Sequence, residues 1–411
     1  MLDEHLFRHE AARMIAALTR VFGVQYLELV EDVVQDALVR ALELWKVRGI
    51  PDNPSAWLTT AAKHRAIDVL RRERTARTFA PELGERLDAA AAALLDEAFD
   101  AHSIRDEQLR MMFSCCNPAL AEEAQVALVL NILCGFGAPE IAAAFLTGRA
   151  AIEKRITRGK RTLASATGLF DFGDAELATR LASVHRALYL LFNEGYHGAG
   201  RHSPLRSELC EEAIRLVTLL RERPSTATPT TTALAALMCL HAGRLPACLD
   251  EAGELSAFAD QDRTRWNTQL IDEGLALFEA AATGAQLSTY HVEAAIAAAH
   301  AAAPTAEATD WSLIVTLYDQ LLSLAPSPIV ELNRAIAIGQ RDGAAAGLAA
   351  LDAIGDADRL ASYPFYAAAR GELELRRGHR DAARNHFRAA LSLARNDAER
   401  HFLAAKVMSC E

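Results

Sequence analysis

The chain has 411 residues, too many for one ordinary hydrophobic core, so two or three domains are expected. Apolar residues make up 51% and aromatic residues only 6%, which favours packed Ala- and Leu-rich helices over a β-sandwich and predicts an all-α fold. The formal net charge of -11 excludes a chain that is basic throughout. Residues 1–165 hold 21 Lys and Arg against 23 Asp and Glu, so the remainder carries a net charge of -9.

Membrane, metal and enzymatic sites are not expected. The sequence contains no run of about 18 apolar residues, and its charged first residues lack the apolar core of a signal peptide. Seven scattered cysteines without CxxC spacing predict a reduced, cytoplasmic protein. We interpret the adjacent Cys115 and Cys116 as small buried side chains rather than metal ligands. The histidines show no HExxH spacing, so we predict no metal, no cofactor and no catalytic residue.

The first long helical pattern is "ELVEDVVQDALVRALELW". Its apolar side chains recur at steps of three and four and predict one buried stripe. The stripe comprises Leu29, Val30, Val33, Val34, Ala37, Leu38, Ala41, Leu42 and Trp45. Glu31, Asp32, Gln35 and Asp36 fall off it. They form either a solvated acidic face or a docking face for a basic partner.

A turn at "RGIPDNPS" precedes a second helical pattern, "AWLTTAAKHRAIDVLRRERTAR", for which Ser55 is the expected N-cap. Its cationic side chains include Lys63, His64, Arg65, Arg71, Arg72, Arg74 and Arg77. So many like charges on one helix repel one another unless an anion is close, and phosphates are the usual candidate. Trp57 suits the core better than a role in base stacking.

The stretch "EIAAAFLTGRAAIEKRITRGKRTL" predicts two short helices around a tight turn, with Thr147 as the expected N-cap of the second. This is the spacing of a helix-turn-helix motif, in which the start of the second helix reads the major groove. The residues expected to point outwards are Arg149, Ala150, Ala151, Glu153, Lys154 and Arg158, with Arg155, Arg158, Lys160 and Arg161 placed to hold phosphates. The alternative is a solvated charged face.

The order of "VEDVVQDALVRALELW", "NPSAWLTTAAKHRAIDVLRR" and "GAPEIAAAFLTGRAAIEKRITRGKRTLA" resembles regions 2.2, 2.3–2.4 and 4.2 of bacterial sigma factors of the extracytoplasmic-function (ECF) group. The resemblance implies that Glu31, Asp32, Gln35 and Asp36 bind core RNA polymerase. It implies that the −10 element is held by Lys63, His64, Arg65, Asp68, Arg71 and Arg72. The −35 element would be bound by Arg149, Ala150, Ala151, Glu153, Lys154, Arg155, Arg158, Lys160 and Arg161. The start "RAAIEK" departs from the Gly-Thr-Val-Lys-like start that is common in the family.

The second half predicts helical hairpins. In "AAARGELELRRGHRDAARNHFRAALSL" the residues Gly371, Gly378, Ala383, Phe387 and Ala390 follow the spacing of tetratricopeptide (TPR) repeats. Residues 192–200 and 223–232 are expected to be loops. The charged stretch "DQDRTRW" is interpreted as a network that caps a helix rather than as a ligand site. The motif order resembles the ECF subgroup with a large TPR-like C-terminal extension, which implies that this extension controls activity.

We therefore expect a sigma region 2 domain at 1–78, a linker at 79–105, a sigma region 4 helix-turn-helix domain at 106–167 and a TPR-like regulatory domain at 175–411. The predicted function is a sigma factor that directs core RNA polymerase to promoters. The alternative is a helix-turn-helix regulator with a ligand- or peptide-sensing helical domain. Expected partners are core RNA polymerase and promoter DNA, together with a protein or peptide partner of the TPR-like domain. An intramolecular contact between the acidic C-terminal domain and the sigma domains is also expected.

Overall fold

The computed structural model describes residues 4–75, 93, 101–144, 147–165, 174–196, 205–250, 254–284 and 286–411. Among these residues every regular element is a helix. The described backbone forms one isolated β-bridge, between Leu249 and Leu255. The all-α prediction is therefore confirmed. The chain divides into two compact units, residues 1–191 and 192–411. In the described ranges no helix is long and apolar enough to cross a membrane.

The first unit is a bundle of helices of unequal length. In chain order they are α1 (Glu4–Phe22), α2 (Leu27–Arg48), α3 (Pro54–Thr75), α4 (Ala101–Cys115), α5 (Glu122–Leu128), α6 (Ala138–Ala144), α7 (Arg149–Ser165) and α8 (Asp174–Tyr196), whose last turn belongs to the second unit. A 3-10 turn at Val24–Tyr26 joins α1 to α2, and a π-helical turn at Val129–Leu133 extends α5. Most of the predicted linker, namely residues 79–92 and 94–100, lies outside the described residues, as do residues 76–78 of the predicted region 2 domain.

Helix α1 is central to the first unit. It contacts α2, α3, α4 and the π-helical turn, and its Met14 and Leu18 are fully buried. Most of the predicted stripe of α2 is buried, namely Val30, Val33, Val34, Ala37, Ala41 and Trp45, and Leu29 and Leu38 are half-buried. Leu42 is 37% exposed, so its assignment to the stripe was wrong. It lies one residue beyond the buried Ala41, and one residue turns a helix by about 100°.

Two expected helix caps were also wrong. The side chain of Asn53 accepts a hydrogen bond from the Ala56 amide at 3.0 Å and caps α3, whereas the Ser55 hydroxyl bonds Glu10 instead. Helix α7 begins at Arg149, and the carbonyl of Gly148, not of Thr147, accepts from the Ala151 amide at 3.0 Å. The first cap lies two residues before the predicted position and the second lies one residue after it, since capping depends on where the first helical dihedral angles fall.

The second unit is solenoid-like. Its helices are α9 (Ser207–Glu222), α10 (Pro229–Ala242), the short α11 (Leu245–Cys248), α12 (Thr268–Ala281), α13 (Thr289–Ala302), α14 (Trp311–Leu324), α15 (Pro328–Arg341), α16 (Ala344–Asp352), α17 (Pro364–Arg376), α18 (Arg380–Ser392) and α19 (Asp397–Met408). From α12 to α19 each helix packs on the next in sequence, and α10 packs on α9, α12 and α13. Stacking of neighbours buries a continuous core, as in repeat proteins.

The hairpin of α17 and α18 shows why small residues recur in this unit. Gly371 faces Phe387 so closely that an added Cβ atom would lie 2.9 Å from its ring. Phe387 and Ala383 are buried, and Gly378 forms the turn with a φ of +82°. A larger residue than glycine at position 371 would therefore push the two helices apart.

Both predicted loops were partly wrong. Helix α8 continues through Gly195 to Tyr196. Glycine is suited to this position because the following helix comes very close: a Cβ atom added at Gly195 would lie only 2.7 Å from the sulfur of Cys210. Residues 197–200 of that stretch lie outside the described residues. Helix α10 begins at Pro229, with the Thr228 side chain as its cap. Proline favours the first helical position, so it starts this helix rather than ending one.

Two residues of the stretch "DQDRTRW" cap helix ends, which agrees with the capping role expected for it. Asp262 accepts hydrogen bonds from the backbone and side chain of Thr264 at the start of a 3-10 turn. The Arg263 guanidinium donates to the carbonyls of His300, at 3.0 Å, and Ala303, at the C-terminal end of α13. Cations stabilise that end of a helix because the carbonyl dipoles there are unpaired.

Candidate nucleic-acid and polymerase interface

Helix α7 has one buried and one basic face. Ile152, Ile156, Gly159 and Leu163 are buried. The opposite face exposes Arg149, Ala150, Ala151, Glu153, Lys154, Arg158 and Arg161, all of them residues predicted to lie at the −35 element. Among the described residues, Lys154, Arg158 and Arg161 form no ion pair, whereas Arg149 pairs with Glu153 at 2.7 Å. The exposed cations are therefore available to a polyanion.

Two further residues of the predicted −35 set form ion pairs with other helices of the first unit. The Arg155 guanidinium pairs with Glu123 of α5 at 2.7 Å, and the Lys160 ammonium pairs with Glu31 of α2 at 2.6 Å. A Cβ atom at Gly159 would lie 2.8 Å from a methyl group of Leu128, so α7 approaches α5 closely between these two pairs. Both side chains fix the position of α7 in the free protein.

Helix α3 presents the predicted −10 set. His64 and Asp68 are exposed, and Lys63 is half-buried. The Arg65 guanidinium lies 2.7 Å from the Asp36 carboxylate, which joins α3 to α2. The predictions for Arg71 and Arg72 concern side chains outside the described residues, as do those for Arg74 and Arg77.

The tryptophans beside α3 belong to the packing of the first unit. The ring of Trp57 lies edge-on to that of Trp45, with ring centroids 5.5 Å apart. Trp57 is half-buried, in agreement with its predicted core position.

The acidic face of α2 holds the residues predicted to bind core RNA polymerase. Asp32 and Gln35 are exposed, whereas Asp36 pairs with Arg65 and Glu31 pairs with Lys160. Each of these two carboxylates therefore neutralises a cation, Arg65 or Lys160, for which the resemblance implies a role in DNA binding. No periodicity argument reveals such pairs, because their members are 29 and 129 residues apart.

Three ion pairs join α1 and α2 to the helices that follow α3. Besides Glu31 and Lys160, Arg8 of α1 lies 3.0 Å from Glu140 of α6. Arg20 of α1 lies 2.5 Å from the buried Glu107 of α4. The two predicted sigma domains are therefore held together within the first unit.

The outer surface of α2 also carries apolar side chains that the sequence analysis missed. Val39, Leu42 and Val47 are 46%, 37% and 85% exposed, and Ile50 follows at 51%. The sequence contained a sign of this exposed apolar surface, because Val39 and Val47 lie outside the helical stripe that is predicted to be buried. Exposed apolar residues next to acidic ones are typical of protein-binding surfaces.

The adjacent Cys115 and Cys116 are buried thiols. Burial raises the pKa of Cys115 well above its usual value and that of Cys116 to about 12, so both stay protonated and unreactive. Among the described residues no group of His, Cys, Asp and Glu has the arrangement of a metal site.

Comparison with known proteins gives three similarities. Residues 6–76 match the family model Sigma-70 region 2, and residues 180–282 match a family of unknown function, DUF6596. The chain is 40% identical over 391 residues to the uncharacterized protein R00370 of Rhizobium meliloti (strain 1021), covering 95% of this chain and 91% of that protein. The region 2 match spans α1, α2 and α3 and supports a sigma-factor-like role in transcription initiation. The sigma-70 family consists of non-enzymatic factors that bind core RNA polymerase and promoter DNA, so the match also supports these partners and a non-enzymatic role.

Proposed function

The chain belongs to the same protein family as the uncharacterized protein R00370 of Rhizobium meliloti, and from this premise and the region 2 match we propose that it is an ECF-type sigma factor. It directs core RNA polymerase to selected promoters and leaves the phosphoryl-transfer chemistry to the polymerase. The observation that carries the proposal is the match of residues 6–76 to Sigma-70 region 2. The exposed basic face of α7, later in the same unit, supports it.

The two DNA-binding surfaces have different roles in this proposal. Helix α3 holds the −10 element as a melted strand, for which cations along the backbone are required. Helix α7 reads the −35 element as a duplex, with the small Ala150 and Ala151 permitting close approach to the bases. Lys154, Arg158 and Arg161, exposed and without an internal ion pair in the described residues, supply the phosphate contacts.

The polymerase-binding surface in this proposal is the outer face of α2. It combines the exposed Asp32 and Gln35 with the exposed apolar Val39, Leu42 and Val47. Acidic groups steer a basic partner and apolar groups provide the desolvated centre of an interface. This mixed composition supports a protein partner over a merely solvated face.

The second unit is proposed to be a TPR-like regulatory domain that modulates the sigma activity. The support is its order of helical hairpins, with the close approach of Gly371 and Phe387 as an example. Residues 180–282, which match DUF6596, cover the beginning of this unit. A solenoid of this kind offers an extended surface to a peptide or to another domain.

The proposal is tested by run-off transcription with purified core RNA polymerase on promoters selected from genomic DNA. We expect transcripts that depend on the full-length chain, and loss of most activity in Arg158→Gln, because an exposed phosphate- or base-contacting cation is removed. Arg388→Gln on α18 of the second unit removes an arginine that is also exposed and forms no ion pair in the described residues; it is the matched control and should transcribe normally. Absence of transcripts from every selected promoter, together with no binding to core polymerase, would refute the proposal.

A further inference from the structure

Two arginine side chains of the second unit share one aromatic cluster. The arginine–aromatic cluster comprises Arg244 directly before α11, Phe258, Arg263 and Trp266 in or beside two 3-10 turns, and His300 in α13. We propose that this cluster binds a small molecule through a phosphate or carboxylate group of that molecule. The inference goes beyond the proposed function and does not depend on it.

Both guanidinium groups lie over the same two rings. The Cζ atom of Arg244 is 4.3 Å from the ring centroid of Phe258 and 5.7 Å from that of Trp266. The Cζ atom of Arg263 is 5.6 Å and 4.6 Å from the same two centroids. The ring of His300 lies edge-on to that of Phe258, with centroids 4.7 Å apart. Two cations, two aromatic rings and an imidazole therefore meet at one place in the second unit.

Close backbone packing fixes the position of Arg244. The carbonyl of the preceding Gly243 accepts a hydrogen bond from the Asn267 amide at 2.7 Å, and a Cβ atom added at Gly243 would lie 2.7 Å from the side chain of Ile271. The Arg244 amide donates to the His241 carbonyl at 3.1 Å. Arg244 itself is only 9% exposed, so the fold holds this cation in the interior.

The cluster brings two positive charges together without an acidic partner. Among the described residues neither Arg244 nor Arg263 forms an ion pair, and Arg244 donates a long hydrogen bond, of 3.4 Å, to the neutral side chain of Gln261. The carboxylate of Glu307 acts on Arg263 from an exposed position. Burial and the charge of Arg244 lower the pKa of Arg263. Two neighbouring cations removed from water are unfavourable unless an anion compensates them.

Buried nitrogen atoms of the cluster have no hydrogen-bond partner among the described residues, although each can carry a proton. They are Nε of Arg244, Nη2 of Arg263, Nε1 of Trp266 and Nδ1 of His300. Arg263 directs its other terminal nitrogen to the carbonyls of His300 and Ala303, so it caps α13 and keeps Nη2 for a ligand. Buried donors are nearly always paired in folded proteins. Phosphate and carboxylate groups supply both the acceptor oxygens and the negative charge that these donors require.

Burial of the cluster limits the ligand to a small molecule. Arg244 and Trp266 are 9% and 8% exposed, so the backbone of a nucleic acid or the surface of a protein cannot reach them. Arg263 and His300 are half-buried and bring one side of the cluster to the solvent. Guanidinium groups bind oxyanions through two parallel hydrogen bonds, which makes arginine the suitable cation for this role.

The experiment measures binding of inorganic phosphate and of malonate to the full-length chain by calorimetry, at constant ionic strength with chloride as the reference anion. We expect at least one probe to bind with a Kd below about 1 mM. Arg244→Met should raise that Kd at least about tenfold, the factor for loss of one charged hydrogen bond. Trp266→Phe keeps a ring but removes a neutral donor and should raise it about fivefold. Arg265→Gln removes an exposed arginine two residues from Arg263 and should bind like the wild type.

Thermal unfolding of the same variants separates a binding role of Arg244 from a structural one. Methionine is apolar and removes one of two repelling charges, so Arg244→Met should melt at or above the wild-type temperature when no probe is added. Addition of the probe should raise the melting temperature of the wild type, because a ligand that binds the folded state stabilises it. The melting temperature of Arg244→Met should rise less.

Two results would overturn the inference. One is that neither probe binds the wild type more tightly than chloride does. The other is that Arg244→Met binds both probes as tightly as the wild type, which would place the bound anion elsewhere, for example on the basic face of α7. Binding of phosphate but not malonate indicates a phosphorylated ligand, and the converse indicates a carboxylic acid; either result supports the site. Because none of these measurements uses polymerase or DNA, the site and the proposed function can fail separately.

Discussion

The imidazole of His185 lies in α8 with only 3% of the residue exposed, and burial lowers its pKa to about 4. In the unfolded chain the same group has a pKa near 6.5. Between these two values the unfolded chain binds a proton that the folded chain does not. The stability contributed by the neutral imidazole is therefore present above about pH 6.5 and is lost as the pH falls towards 4.

We predict that His185→Gln reduces the loss of stability on acidification. Between pH 7 and pH 5 the wild type should lose about 2 kcal/mol of its free energy of unfolding through this group, at about 1.4 kcal/mol for each pH unit below 6.5. Urea unfolding at pH 7 and pH 5 measures the difference. The exposed His64→Gln is the control, and an equal pH dependence in wild type and His185→Gln would contradict the assignment.

At the scale of the element, α2 has to serve two surfaces at once. Its inner face buries Val33, Ala37 and Ala41 against neighbouring helices. Its outer face leaves Val39 and Val47 in water, where they gain nothing from burial in the free protein. Such a helix gains stability on the outer side only when a partner covers it.

We predict that Val39→Asp weakens binding to core RNA polymerase by about 1–2 kcal/mol, because a charge enters the apolar part of the proposed interface. Affinity is measured by titration with labelled core enzyme. Leu313→Asp in the second unit has the same exposure of 46% and should leave the affinity unchanged. If the two variants bind core RNA polymerase with equal affinity, the outer face of α2 is not part of the interface.

The pair of α17 and α18 gives a prediction about packing. Gly371→Val should lower the free energy of unfolding of the second unit by about 2 kcal/mol, since the added methyl groups collide with the ring of Phe387. Ala389→Val, on the exposed side of α18, should lower the free energy of unfolding by only about 0.5 kcal/mol, because valine has a lower helix propensity than alanine. Thermal unfolding compares the two, and a similar effect of both substitutions would show that the hairpin can adjust.

At the scale of the whole molecule, the division between units falls inside a helix. Helix α8 runs from Asp174 to Tyr196 and changes unit after Leu191. Its first part is bound to the sigma-like unit. The Arg180 guanidinium donates to the Phe113 carbonyl at 2.9 Å, and Arg186 lies 3.0 Å from Glu122 of α5.

We predict that a fragment of residues 1–170 is less stable than one of residues 1–191 by more than about 3 kcal/mol, because it lacks the buried Leu177 and Leu181 as well as Arg180 and its hydrogen bond. Urea unfolding of both fragments measures the difference. Arg180→Met in the full chain should reproduce part of it. If the two fragments unfold at the same urea concentration, α8 is not an integral part of the first unit.

The sequence by itself determined the helical class, the basic face of α7 and the acidic face of α2, because helix periodicity and side-chain charge are local properties. It located helix ends less well, as the caps at Asn53 and Gly148 show, since a cap depends on the dihedral angles of single residues. Only the tertiary structure decided that Lys160 binds Glu31, that Arg65 binds Asp36 and that Arg180 reaches the backbone of α4. These partners are remote in sequence, and a charge acquires its partner only when packing of the apolar faces brings the helices together.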